Sequence, residues 1–247
     1  MAELVRGAHD TTVERTSVVG ADGVEVPAIH AVPSGASADA GVVVHPDIMG
    51  VRPLFDDLCA RVASYGYAVA CPEPFARAAP EVRAAAEPMS RMASVRELDD
   101  DLQLDDLVRA ADLLAARDGV DRVHVIGFCM GGMQTFKAAA SGRFARAVPF
   151  YGMIRLPADW RGEGLREPLD TAADVCPTLA IFGGADHYTP AADIDALRAA
   201  WTDRANCEIV VYPEAEHGFV HAPERPVHRA DDAADAWRRT LDWLAAT

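Results

Sequence analysis

Short apolar runs alternate along the chain with longer stretches in which apolar and polar positions repeat at helical spacing. The clearest runs are AGVVVHP (40–46), YAVACPEP (67–74), RVHVIGF (122–128), RAVPFYG (146–152), PTLAIFGG (177–184) and CEIVVYP (207–213). Runs that stay apolar without alternating suit strands covered on both faces. Between them, 53–65, 99–117, 130–142, 190–202 and 229–245 carry the period of amphipathic helices. This succession predicts an α/β fold: a mostly parallel sheet with helices on both faces, binding its ligands outside the carboxyl ends of the strands. Functional residues are therefore expected just after strands. The opening SVVGADGVEVPAIHAVP (17–33) alternates instead around an Asp-Gly turn, and it reads as an antiparallel hairpin at one sheet edge.

A chain of 247 residues suits a single domain over 1–247, because α/β folds often reach this length undivided. No window approaches the roughly 18 continuous apolar residues of a membrane span, and the first residues lack the pattern of a secretory signal. The expectation is a cytoplasmic protein with no membrane partner. Five cysteines, Cys59, Cys71, Cys129, Cys176 and Cys207, include no CxxC pair, so most are expected to be buried, reduced thiols. The net charge of −15 argues against nucleic acid as a partner. Much of it lies in RELDDDLQLDDL (96–107), which reads as a solvated helix face with Leu98, Leu102 and Leu107 turned inward.

Cys129 follows the run VHVIGF and precedes a helical stretch, with Gly127 two residues before it and Gly131 two after. This is the G-x-nucleophile-x-G spacing of a sharp strand-to-helix turn, with cysteine where serine is more usual. The helix start behind such a turn favours a thiolate and leaves the Met130 N–H free for an oxyanion. Taken alone, the motif fits a buried structural cysteine equally well. Asp186, in IFGGADHYTP, and His217, in VVYPEAEHGFVH, each follow a further strand. Nucleophile, acid and base thus occur in the chain order of an α/β-hydrolase triad. His217 and His221 are four apart, but Gly218 and the preceding strand place them in a loop, and no metal site is expected.

GFCMGG, GGADHYTP and EHGF resemble the nucleophile, acid and base segments of the dienelactone hydrolase family, a likeness that runs over roughly 17–245. It implies an α/β-hydrolase fold. It also implies an acidic residue and an oxyanion N–H at the end of the strand after the hairpin, where this chain has HPDIMGVRP (45–53). Asp47 stands at the family's glutamate, one methylene shorter, and Ile48 supplies the N–H. Tyr151, in PFYGMI, is similar to a family tyrosine facing the cleft. Family members acting on dienelactones hold the substrate carboxylate with arginines, one of them shortly after the catalytic histidine. Here that segment is HGFVHAPER, leaving His221 or Arg225, and the second arginine is sought among Arg83, Arg91 and Arg96.

A cysteine nucleophile narrows the chemistry by itself. In the tetrahedral intermediate the thiolate leaves more readily than an alkoxide or an amide nitrogen, so ordinary esters and peptides turn over poorly. Enol lactones, enol esters and aryl esters release stabilised anions and escape this problem. The sequence therefore reads as a hydrolase that opens an enol lactone or similar activated ester through Cys129, His217 and Asp186, with a thioester acyl-enzyme and no cofactor. The alternatives are an aryl ester or thioester hydrolase of the same family, and a non-catalytic ligand-binding or redox-sensing protein on the same fold. The expected partner is a small ester or lactone, with monomer as the default state and dimer the alternative.

Overall fold

The computed structural model describes residues 4–85 and 87–246. The chain opens with β1 (Thr11–Val19), β2 (Glu25–Pro33), β3 (Ala40–His45), α1 (Pro53–Ala63) and β4 (Tyr67–Pro72). Two short helices, α2 (Pro80–Ala84) and α3 (Pro88–Val95), precede α4 (Asp100–Asp118), β5 (Val123–Phe128), α5 (Met130–Ala139) and β6 (Ala147–Phe150). The rest comprises β7 (Thr178–Gly183), α6 (Ala191–Ala200), β8 (Cys207–Tyr212) and α7 (Ala230–Ala245). Among the described residues, these strands form one eight-stranded sheet in the order β1-β2-β4-β3-β5-β6-β7-β8. The β1–β2 and β2–β4 pairs are antiparallel, and every pair from β4 to β8 is parallel.

Strands β3, β4, β5 and β7 are buried at every position, which is why they read as unbroken apolar runs. Phe55 and Leu58 of α1 pack with Trp237 and Leu244 of α7 in one core layer. The second layer joins Leu107 and Leu114 of α4 to Phe136 of α5 and Leu197 of α6. The hairpin sits at the sheet edge as expected, but β1 begins at Thr11, earlier than the alternation suggested. Its first turn-free residues, TTVERT, are largely exposed, and one-sided cover at an edge leaves no apolar signature there.

The acidic run of α4 departs from the expectation of a solvated face. Asp100 and Asp106 are buried, at 1% and 3% exposure. Asp106 pairs with Arg77 at 2.6 Å, and Asp100 pairs with Lys137 of α5 at 2.8 Å. Asp100 also accepts from Gln134 and from the Arg166 N–H. Lys137 is itself buried, and burial holds its pKa below the usual lysine range against the pull of Asp100. Breaking such a pair strands a charge in the core, so Lys137→Met is expected to cost about 3–5 kcal/mol of stability, read by chemical denaturation. All five cysteines are free thiols, but only Cys59 and Cys71 are buried. Cys176 and Cys207 lie half-buried at the amino ends of β7 and β8, towards the sheet edge. Among the described residues, no helix is long and apolar enough to cross a membrane.

Candidate active site

Parallel register brings the carboxyl ends of five strands level. His45 faces Gly127, Phe128 faces Phe150, Phe150 faces Ile181, and Gly183 faces Tyr212. The chain leaving these ends carries, in turn, Asp47 and Ile48 after β3, Cys129 after β5, Tyr151 after β6, Asp186 after β7 and His217 after β8. These residues therefore lie together at the carboxyl end of one sheet.

Cys129 has φ 58° and ψ −118°, a left-handed conformation that a side chain rarely adopts. Two glycines permit the turn. A Cβ on Gly127 would lie 2.3 Å from the Gly131 carbonyl oxygen, and one on Gly131 would lie 2.3 Å from the carbonyl oxygens of both His45 and Pro46. The spacing read from the sequence is thus a steric requirement: helix α5 must start hard against the ends of β3 and β5. Among the described residues, the N–H groups of Met130 and Ile48 have no acceptor, leaving two donors beside the thiol's loop.

Asp186 is 3% exposed; its Oδ1 accepts the Tyr188 N–H at 2.8 Å and its Oδ2 meets His217 Nδ1 at 2.7 Å. That contact makes Nδ1 the donor and leaves Nε2 to face the thiol side. Among the described residues, Nε2 is buried without a hydrogen-bond partner. Burial acts to lower the His217 pKa, but negative charge on Cys129 and the Asp186 hydrogen bond outweigh it and raise the pKa well above the histidine range. The Tyr188 ring sits edge-on to His217 at 4.8 Å and Tyr151 does the same at 5.2 Å, fixing the imidazole plane.

Cys129 and His217 open onto a cavity of about 190 Å³. Its walls include Ile48, Met49, Met92, Met153, Trp160 and Tyr188. Of these, the sequence singles out Ile48 alone. Met49, Met153 and Tyr188 lie inside the segments HPDIMGVRP, PFYGMI and GGADHYTP already quoted, but Trp160 belongs to an irregular segment with no local pattern.

Asp47 and His221 border the same cavity, whereas Tyr151 does not face it as the resemblance suggested. Tyr151 is fully buried behind the site, at φ 38°, with its hydroxyl 2.5 Å from His221 Nδ1. His221 Nε2 meets Asp47 Oδ2 at 2.7 Å, and Asp47 is held by two further bonds from Arg52, at 2.6 and 2.8 Å. Burial lowers the His221 pKa, and Arg52 and Arg225 reinforce this against Asp47, so the ring is neutral near pH 7. Burial acts to raise the Asp47 pKa, but the bonds from His221 and Arg52 hold it well below the carboxylate range. With both nitrogens engaged and no charge, His221 is not a carboxylate anchor. The two histidines of the HGFVH segment serve two separate carboxylates.

The candidate arginines of the 77–96 region do not line the cavity. Arg91 is 6% exposed and donates to the carbonyl oxygens of Met49, Arg83 and Ala85, with its guanidinium over the Phe75 ring at 5.5 Å. It pins α3 to the loop after β3. Two arginines do border the cavity, Arg52 and Arg225. Arg52 is committed to Asp47, and Arg225, exposed at the rim, has no ion-pair partner among the described residues.

Comparison with known proteins shows the family and the fold. The model of the dienelactone hydrolase family matches residues 26–247. A protein of Methylorubrum extorquens named "Putative carboxymethylenebutenolidase" is 36% identical over 228 residues, which are 90% of this chain and 77% of that protein. The carboxymethylenebutenolidase of Pseudomonas putida is 28% identical over 240 residues, covering 94% of this chain and 96% of its own. A crystal structure described as "Putative Dienelactone Hydrolase from Klebsiella pneumoniae" superposes with a TM-score of 0.86 at 33% identity, covering 96% of this chain and 99% of that one.

Proposed function

The chain belongs to the dienelactone hydrolase family, and from that premise we propose that it opens an enol lactone or another activated carboxylic ester through Cys129, His217 and Asp186. The observation that carries this reading is the strained Cys129 turn, with the His217–Asp186 pair at the carboxyl ends of β7 and β8 in the same sheet. In the proposed reaction His217 Nε2 takes the thiol proton while Asp186 holds the imidazole tautomer. The thiolate adds to the carbonyl, and the N–H groups of Met130 and Ile48 receive the oxyanion. Collapse expels the enolate and leaves a thioester on Cys129. The enolate takes a proton either from the His217 imidazolium, whose freed Nε2 then deprotonates a water, or from that water directly; the resulting hydroxide adds to the thioester and the Cys129 thiolate leaves, releasing the carboxylic acid.

Arg225 is the cation placed to receive a substrate carboxylate at the rim. One charge-assisted contact is worth about tenfold in binding, so Arg225→Ala is expected to raise KM about 10-fold for a carboxylated enol lactone. KM for a neutral aryl ester should stay unchanged. The mostly apolar wall of Met49, Met92, Met153 and Trp160 supports a second reading, a neutral aryl ester or thioester as substrate. Steady-state kinetics on carboxylated and neutral esters, with mass spectrometry of the acylated protein, separates the two. Equal turnover of both classes and no effect of Arg225→Ala favours the second, and no acyl adduct on Cys129 with either class sinks the whole reading.

A further inference from the structure

Beside the candidate triad lies a second buried His–Asp pair that the proposed reaction does not use. It forms part of a continuous chain running from Arg52 through Asp47 and His221 to Tyr151. Direction follows from the neutral ring: the Tyr151 hydroxyl donates to His221 Nδ1, and His221 Nε2–H donates to Asp47 Oδ2. Burial raises the Tyr151 pKa well above its ordinary value, with the charges of Asp47 and Cys129 adding to it, so the hydroxyl keeps its proton.

Asp47 is saturated. Its Oδ1 accepts from the Met49 N–H at 2.9 Å and from Arg52 Nη1 at 2.6 Å. Its Oδ2 accepts from Arg52 Nη2 at 2.8 Å and from His221 at 2.7 Å. Four donors fill the roughly four lone-pair sites of a carboxylate, leaving none for a thiol proton. The same bonds fix the loop that carries Ile48: the Gly50 N–H donates to the Asp47 carbonyl, Arg52 donates to the Gly50 carbonyl, and Arg91 to that of Met49.

The far end of the chain is equally constrained. Tyr151 keeps its strained backbone through its N–H bond to the Ile181 carbonyl, and its neighbour Phe150 accepts the Cys129 N–H at 3.1 Å. Strain of this kind persists where the surroundings over-determine it. The chain therefore ties the loop after β3 to the strand end beside the nucleophile and to the loop bearing His217.

We propose that Arg52, Asp47, His221 and Tyr151 are positioning residues that hold the Ile48 N–H in place for the oxyanion, and that Asp47 does not exchange a proton with Cys129. This rests on the reaction proposed above. Two readouts test it: hydrolysis of an activated aryl ester, which needs the oxyanion site, and alkylation of Cys129 by iodoacetamide across the pH range, which needs only the thiolate. A displaced donor costs up to about 100-fold, so Asp47→Asn is expected to lower kcat about 10- to 100-fold with KM unchanged. Tyr151→Phe removes one hydrogen bond and is expected to lower kcat about 3- to 10-fold. In both variants the rate and pH profile of Cys129 alkylation, followed by peptide mass spectrometry, should match the wild type.

An alkylation profile that moves together with kcat would show Asp47 acting on the thiol and overturn the proposal. Wild-type kcat in both variants overturns it as well. If Asp47→Asn fails to fold, Tyr151→Phe decides alone, because it deletes a single atom. A wild type that is never acylated at Cys129 refutes the hydrolase reading and this role with it, whereas acylated wild type and indifferent variants refute only this role.

Discussion

Cys129→Ala is expected to abolish hydrolysis of activated esters while leaving the protein folded. Deleting the nucleophile of a comparable triad lowers kcat by about 10⁴- to 10⁶-fold, the remainder coming from the oxyanion site and binding. Alanine carries the same backbone penalty at φ 58° as cysteine, and the half-buried thiol leaves little volume unfilled, so thermal stability should change little. Stopped-flow assay of an aryl or enol ester, together with intact-protein mass spectrometry after a brief substrate pulse, measures both parts. The wild type should gain the mass of one acyl group and the variant none. Undiminished turnover by the variant would place the chemistry elsewhere and leave the strained turn without a function.

The thiol was legible in the sequence because three separate signals fell on strand ends. Those ends belong to β5, β7 and β8; β5 and β7 are buried at every position, so their ends stand out to within a residue or two, and the chain order of Cys129, Asp186 and His217 supplies the rest. Contacts that join distant segments left no such trace. Asp47 and His221 are 174 positions apart, and nothing local tells that the second histidine of HGFVH turns to a carboxylate of its own. Asp100 looked like its solvated neighbours because its partner, Lys137, lies 37 positions on. Helices α2 and α3 were missed for a different reason. The segment around Pro80 and Pro88 is rich in alanine, and α2 buries no residue, so no amphipathic stripe marks it. Arg91 accordingly stood among the candidates for a substrate anchor, although its guanidinium is consumed by three backbone carbonyls.

The close approach behind Cys129 makes Gly131→Ala a strongly disruptive single-methyl change at the site. Its Cβ would lie 2.3 Å from the carbonyl oxygens of His45 and Pro46 and 2.7 Å from His45 Nδ1. None of these is the end of a flexible side chain. His45 closes the β3–β5 ladder opposite Gly127 and is 2% exposed, so neither strand end can yield without breaking parallel pairing. Overpacking of this kind costs about 3 kcal/mol, visible as a lower denaturation midpoint. The displacement falls between the loop carrying Ile48 and the turn carrying Cys129, so the molecules that stay folded are expected to lose about 100-fold in kcat. Gly35→Ala supplies the comparison: φ is 72° there and nothing lies within 4 Å of the added carbon. It bears the left-handed backbone penalty, about 1 kcal/mol, and should keep full activity. If both variants lose stability but keep equal activity, the spacing between β3 and α5 does not govern the reaction. A kcat loss confined to Gly131→Ala ties catalysis to that spacing.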